Sequence, residues 1–109
     1  MATPKPGRRV RGSKTGRPIM ALLDLIGRRW ALRILWELRN GPQNFRALQA
    51  LAGDVSPSVL NTRLKELREA GLVENTPDEG YAVTREGAEL QALLLPLHAW
   101  SERWARRHS

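Results

Sequence analysis

A chain of 109 residues with a formal charge of +7 and no cysteine has room for one modest core, and it carries no disulfide framework, thiolate metal site or thiol switch. No run reaches the roughly 18 apolar residues of a membrane span, and the N-terminus lacks the apolar segment of a secretory signal, so a cytoplasmic protein is expected. The basicity is uneven: six of the 18 Lys and Arg fall in residues 1–17 with no acid beside them, which leaves residues 18–109 close to neutral.

Residues 1–17, rich in Pro, Gly and cations, have almost nothing to bury and read as a disordered basic arm. Arg8, Arg9, Arg11 and Lys14 would give it a sequence-independent, salt-sensitive attraction to DNA phosphates; a solubilising tail is the plainer alternative. Residues 18–109 form the folded domain. Pro18 suits a first helical position, and Ile19, Leu22, Leu23 and Ile26 share one apolar stripe. After Gly27 a second helix is expected over about Arg29–Asn40, with Trp30, Ala31, Ile34, Leu35 and Leu38 facing inward. Gly41 and Pro42 end it. Asn44 caps a short third helix containing Phe45, Leu48 and Leu51, which Gly53 closes.

The stretch Val55–Leu72, VSPSVLNTRLKELREAGL, carries its own start and stop signals. Ser56 is an N-cap, Pro57 the first helical residue, and Val55 with Leu60 has the spacing of a hydrophobic staple. Gly71 suits a left-handed C′ position, with Leu67 and Leu72 as the apolar pair of a Schellman motif. Leu60, Leu64 and Leu67 line one side. The other side holds Ser56, Ser58, Asn61, Thr62, Arg63, Lys65 and Arg68. Short donors and acceptors suit base edges, and the cations Arg63 and Lys65 suit phosphates; an ordinary solvated face is the alternative. Two helices joined this closely, the second with a polar outer face, make a helix-turn-helix.

Beyond Gly71 the period changes. LVEN and YAVT are short extended runs around the turn Thr76-Pro77-Asp78-Glu79-Gly80, which predicts a two-stranded β-wing. Two acids at its tip are poorly suited to phosphate contact. Thr84 caps a last helix over about Arg85–Arg107, with Leu90, Leu93, Leu94, Leu97, Trp100 and Trp104 at three- and four-residue spacings. Pro96 inside it predicts a kink. This helix has more apolar surface than a small core can cover. A second subunit is the expected cover, with Ile19, Leu22, Leu23, Leu94, Leu97, Trp100 and Trp104 at the dimer interface; folding back on its own core is the alternative. The Trp residues could instead line a ligand pocket between subunits, though no effector class is readable.

Several of these segments resemble HxlR-type winged-helix regulators. LIGRRWALRILWEL at Leu25–Leu38 is similar to the family's LIGGKWTLLIL, and NFRALQAL to RFNELRRAL. VSPSVLNTRLKELREAGLVEN resembles ISPRVLSQRLRELEEAGLVER almost position by position, and YAVTREGAEL resembles YSLTELGRSL. The resemblance implies a MarR-related, bacterial, homodimeric transcription factor on palindromic double-stranded DNA. It places Ser56, Ser58, Asn61, Thr62, Arg63 and Lys65 on the recognition helix. Three departures stand out. The family's frequent sensor Cys is absent, Arg28 replaces its second Gly, and its paired-proline wing is shortened to Pro77-Asp78-Glu79-Gly80.

The expectation is therefore a mainly α winged helix-turn-helix with a short two-stranded wing and a long C-terminal dimerisation helix. An enzyme is disfavoured: His98 and His108 are the only imidazoles, and neither an HExxH spacing nor a Gly-rich loop after a strand is present. No metal or cofactor is expected. A nonspecific architectural DNA binder and a winged-helix protein-interaction module remain the alternatives to a sequence-specific regulator.

Overall fold

The computed structural model describes residues 17–108, so the arm residues Arg8, Arg9, Arg11 and Lys14 lie outside the described residues. The element order is α1 (Pro18–Ile26), α2 (Ala31–Glu37), α3 (Phe45–Leu51), α4 (Pro57–Glu69), β1 (Val73–Thr76), β2 (Gly80–Val83) and α5 (Arg85–Arg107). The core lies where α2, α3 and α4 meet. Ile34, Leu35, Leu38, Leu48, Leu60, Leu64 and Leu67 are its largest fully buried side chains.

The caps written into the sequence form as hydrogen bonds. The Asn44 Oδ1 accepts from the Ala47 N–H at 2.8 Å, the Ser56 Oγ from the Val59 N–H at 3.3 Å, and the Thr84 Oγ1 from the Gly87 N–H at 3.1 Å. At the end of α4, Gly71 adopts φ +79°. The Leu72 N–H then reaches the Leu67 carbonyl and the Gly71 N–H the Arg68 carbonyl, both at 3.0 Å. This is the paired bonding of a Schellman motif. Both ends of α4 are thus chemically fixed.

Three expectations are corrected by packing. The second helix begins at Ala31 rather than Arg29, because Trp30 takes a left-handed backbone at φ 79° and serves as N-cap. That conformation is strained for a bulky residue, and the indole packed against the core compensates it. In α1 the core-facing residues are Ala21 and Leu25; Ile19 and Leu23 are about half exposed, at 54% and 49%. Leu51 is outward, and Ala52, fully buried, takes the inward place at the end of α3.

The strands pair antiparallel, with Val73 opposite Val83 and Thr76 opposite Gly80. Gln43 extends this small sheet by exchanging backbone bonds with Tyr81 at 2.8 and 2.9 Å, which ties the wing to the start of α3. α5 runs unbroken through Pro96. Its first turns are held by Gln91, whose Nε2 donates to the Leu35 carbonyl at 2.6 Å, and by Leu90, which packs on the core. Farther along, Leu93, Leu95, Leu97, Trp100 and Trp104 are all exposed, and the last two rings stack at 5.9 Å. The helix therefore does not fold back over its own core. No helix among the described residues is long and apolar enough to cross a membrane.

Candidate nucleic-acid interface

The link between α3 and α4 turns sharply through two left-handed residues, Gly53 at φ +82° and Asp54 at φ +59°. Glycine has no steric penalty there, and a short Asp side chain tolerates it. The Gln49 Nε2 pins the turn by donating to the Val55 carbonyl at 2.9 Å. Val55 is itself buried beside Leu60. The staple thereby sets the angle at which α4 leaves α3.

With Leu60, Leu64 and Leu67 fully buried on one side, α4 has no rotational freedom. Its other side must face outward. Ser56, Ser58, Asn61, Thr62, Lys65 and Arg68 are all exposed. The Thr62 hydroxyl donates to the Ser58 carbonyl at 2.9 Å, so its proton is used within the helix and its oxygen is left as an acceptor. Lys65 and Arg68 have no ion pair among the described residues. Between α4 and β1 runs an open groove of about 580 Å³, lined by Lys65, Arg68, Glu69, Val73, Glu74 and Asn75. The wing tip beyond it exposes Pro77, Asp78 and Glu79, two anions in a position where a cation would be needed for a phosphate.

Arg63 differs from its neighbours on the helix. Its side chain is 22% exposed. Its Nε donates to the Arg29 carbonyl at 2.8 Å, and one terminal nitrogen donates to the Glu66 Oε1 at 2.9 Å. The guanidinium faces the α1–α2 corner. Glu66 also accepts from Arg28, which in turn donates to Asp24 at 3.1 Å. Sequence reasoning singled out neither Glu66 nor Arg28 as a partner of Arg63. The one available signal was Arg28 itself, standing where related chains carry Gly.

A second hollow, of about 390 Å³, lies between α2 and α5 and is lined by Leu32, Arg33, Trp36, Leu94, Leu97, His98 and Ser101. Its indole is Trp36, which meets His98 at 5.3 Å; Trp100 and Trp104 are not part of its lining. His98 is exposed and pairs with Glu102 at 2.6 Å.

Known proteins match both the sequence and this architecture. The HxlR-like helix-turn-helix family profile matches residues 25–109. The helix-turn-helix-type transcriptional regulator YvaP of Bacillus subtilis is 33% identical over 88 residues, covering 75% of this chain and 82% of its own length. The quinone-bound form of YodB from the same species superposes with a TM-score of 0.71 at 30% identity, covering 78% of this chain and 96% of that one. A possible HxlR family transcriptional factor from Thermoplasma volcanium GSS1 gives a TM-score of 0.74 at 29% identity, covering 89% and 95%. These relatives are named as regulators, not enzymes. With its capped outward helix, its short wing and a profile match spanning most of its length, the chain belongs to the HxlR-like helix-turn-helix family of transcriptional regulators.

Proposed function

We propose that this regulator acts as a homodimer that reads a palindromic operator in double-stranded DNA. The observation that carries the reading is the outer side of α4, where Ser58, Asn61, Thr62, Lys65 and Arg68 are all exposed while the opposite side is locked into the core. Asn61 and Thr62 meet base edges, and Ser58 adds a hydroxyl near the helix start. Lys65 and Arg68 neutralise phosphates, since neither cation is engaged within the molecule. Ser56 caps the helix and contributes at most its hydroxyl proton to a contact. The acidic wing tip stays off the backbone of the duplex.

The dimer reading rests on apolar surface. α1 exposes Ile19 and Leu23, and α5 exposes Leu93, Leu95, Leu97, Trp100 and Trp104. Leucines and stacked indoles at helical spacing, unpaired within one chain, are what a symmetric partner covers. Two recognition helices in such a dimer are expected about 34 Å apart, one turn of duplex.

Selection of bound sequences from a random duplex pool tests the proposal. Enrichment of one inverted repeat, bound far more tightly than random duplex, supports it. Equal affinity for all duplexes indicates an architectural binder. Absence of binding even at low salt indicates a protein-interaction module, and either result overturns sequence-specific reading.

A further inference from the structure

Glu66 is the one charged residue among the described residues that is buried, at 8% exposure, and it lies directly beneath the recognition helix surface. One carboxylate oxygen accepts from Arg63 at 2.9 Å and the other from Arg28. Arg28 reaches on to Asp24 in α1, and Arg63 reaches past Glu66 to the Arg29 carbonyl. Two cations and two anions thus form a closed, neutral chain from the end of α1, across the corner at residues 27–30, into the middle of α4. The side chains of Arg28 and Glu66 are only 11% and 10% exposed. Charges this far out of water are held by geometry, because losing any one member leaves the others unpaired in a low-dielectric site. The corner they grip is also the strained one, where Trp30 is left-handed.

We infer that Arg63 is a positioning residue rather than a phosphate contact: with Arg28 and Glu66 it fixes the rotation of α4 relative to α1, the helix that exposes Ile19 and Leu23. The inference rests on the DNA-reading proposal above and reassigns one of its cations. Arg63 is already neutralised by a buried carboxylate and hydrogen-bonded to a backbone carbonyl. To meet a phosphate it would have to abandon both. Lys65 and Arg68, which have no such partners, need abandon nothing. The forked guanidinium is suited to this task because it bonds Glu66 and the Arg29 carbonyl from different nitrogens at once; a lysine ammonium is a single point charge.

The salt dependence of binding separates the roles. Each phosphate contact contributes about 0.9 to the slope of log K against log salt on duplex DNA. Lys65→Ala is expected to lower that slope by about 0.9 and to leave the melting temperature unchanged. Arg63→Ala is expected to leave the slope unchanged, lower the melting temperature by several degrees, and cut the operator-to-random affinity ratio about tenfold, comparable with one mismatched base pair. Glu66→Gln provides the sharpest comparison. It removes no group that could touch DNA, and the positioning role predicts the same loss of ratio at unchanged slope. A phosphate role predicts instead that freeing Arg63 tightens binding and steepens the slope. Arg63→Lys, which keeps the charge and is safer for folding, should restore part of the melting temperature and little of the ratio. A fall of about one unit in slope for Arg63→Ala, or a gain in affinity for Glu66→Gln, overturns the inference. If Lys65→Ala is silent because no duplex is bound, the DNA reading has failed separately. The network is then judged by a stability cycle of Arg63→Ala and Glu66→Gln, in which additive melting losses refute it.

Discussion

Asn61 stands one helical turn before Lys65 on the outer side of α4, and the two side chains are suited to different halves of recognition. An amide presents a donor and an acceptor in one plane, the pattern that pairs with adenine in the major groove. Asn61→Ala is expected to cost about 1–3 kcal/mol on the preferred operator and far less on random duplex; competition binding with single-base operator variants measures it, and equal losses on both duplexes would count against a base contact. Thr62 has already spent its proton on the Ser58 carbonyl, so Thr62→Ala should matter only where the partner is a donor or a thymine methyl. At this scale the sequence was informative about exposed positions and silent about buried ones. The outward polar side could be read from the leucine spacing. The inward turn of Arg63 could not, because its partners Arg29 and Arg28-bound Glu66 meet it through a corner 34 residues away in sequence.

The helical elements owe their limits to local chemistry, and their removal has local costs. Ser56→Ala deletes the α4 cap and is expected to destabilise by about 0.5–2 kcal/mol, measured as a lower urea midpoint with an unchanged slope. Gly87 is a different case. A Cβ there would lie 2.0 Å from the Leu72 carbonyl oxygen, a backbone atom that cannot swing aside. Gly87→Ala should therefore cost at least about 1–3 kcal/mol by pushing α5 off the base of the wing. A melt indistinguishable from the parent protein would show that the two elements separate freely. The caps Asn44, Ser56 and Thr84 and the stop at Gly71 were legible because each acts on neighbours within a few residues. The start of α2 was not, since the left-handed turn at Trp30 is imposed by packing its indole against the core.

For the molecule as a whole, the surface left uncovered by α1 and α5 is the feature that one copy cannot resolve. Ile19, Leu23, Leu97, Trp100 and Trp104 are each about half exposed, between 46% and 54%. Paired substitution Leu97→Asp with Trp100→Lys is expected to shift a dimer toward monomer in sedimentation. Operator affinity should fall with it, because one half-site no longer supports the other. A parent protein already monomeric at micromolar concentration contradicts the assembly.

What the sequence by itself determined was the order and type of elements: leucine periodicity, capping residues and turn clusters act over one or two helical turns, so they can be read without knowing the fold. It also determined which side of α4 faces out, since the apolar stripe leaves no other choice. Tertiary structure alone decided which cations of α4 remain available, which side of α1 meets the core, and how the corner before Ala31 is bent. Those outcomes depend on contacts between residues far apart in the chain, and no local pattern records a distance across space.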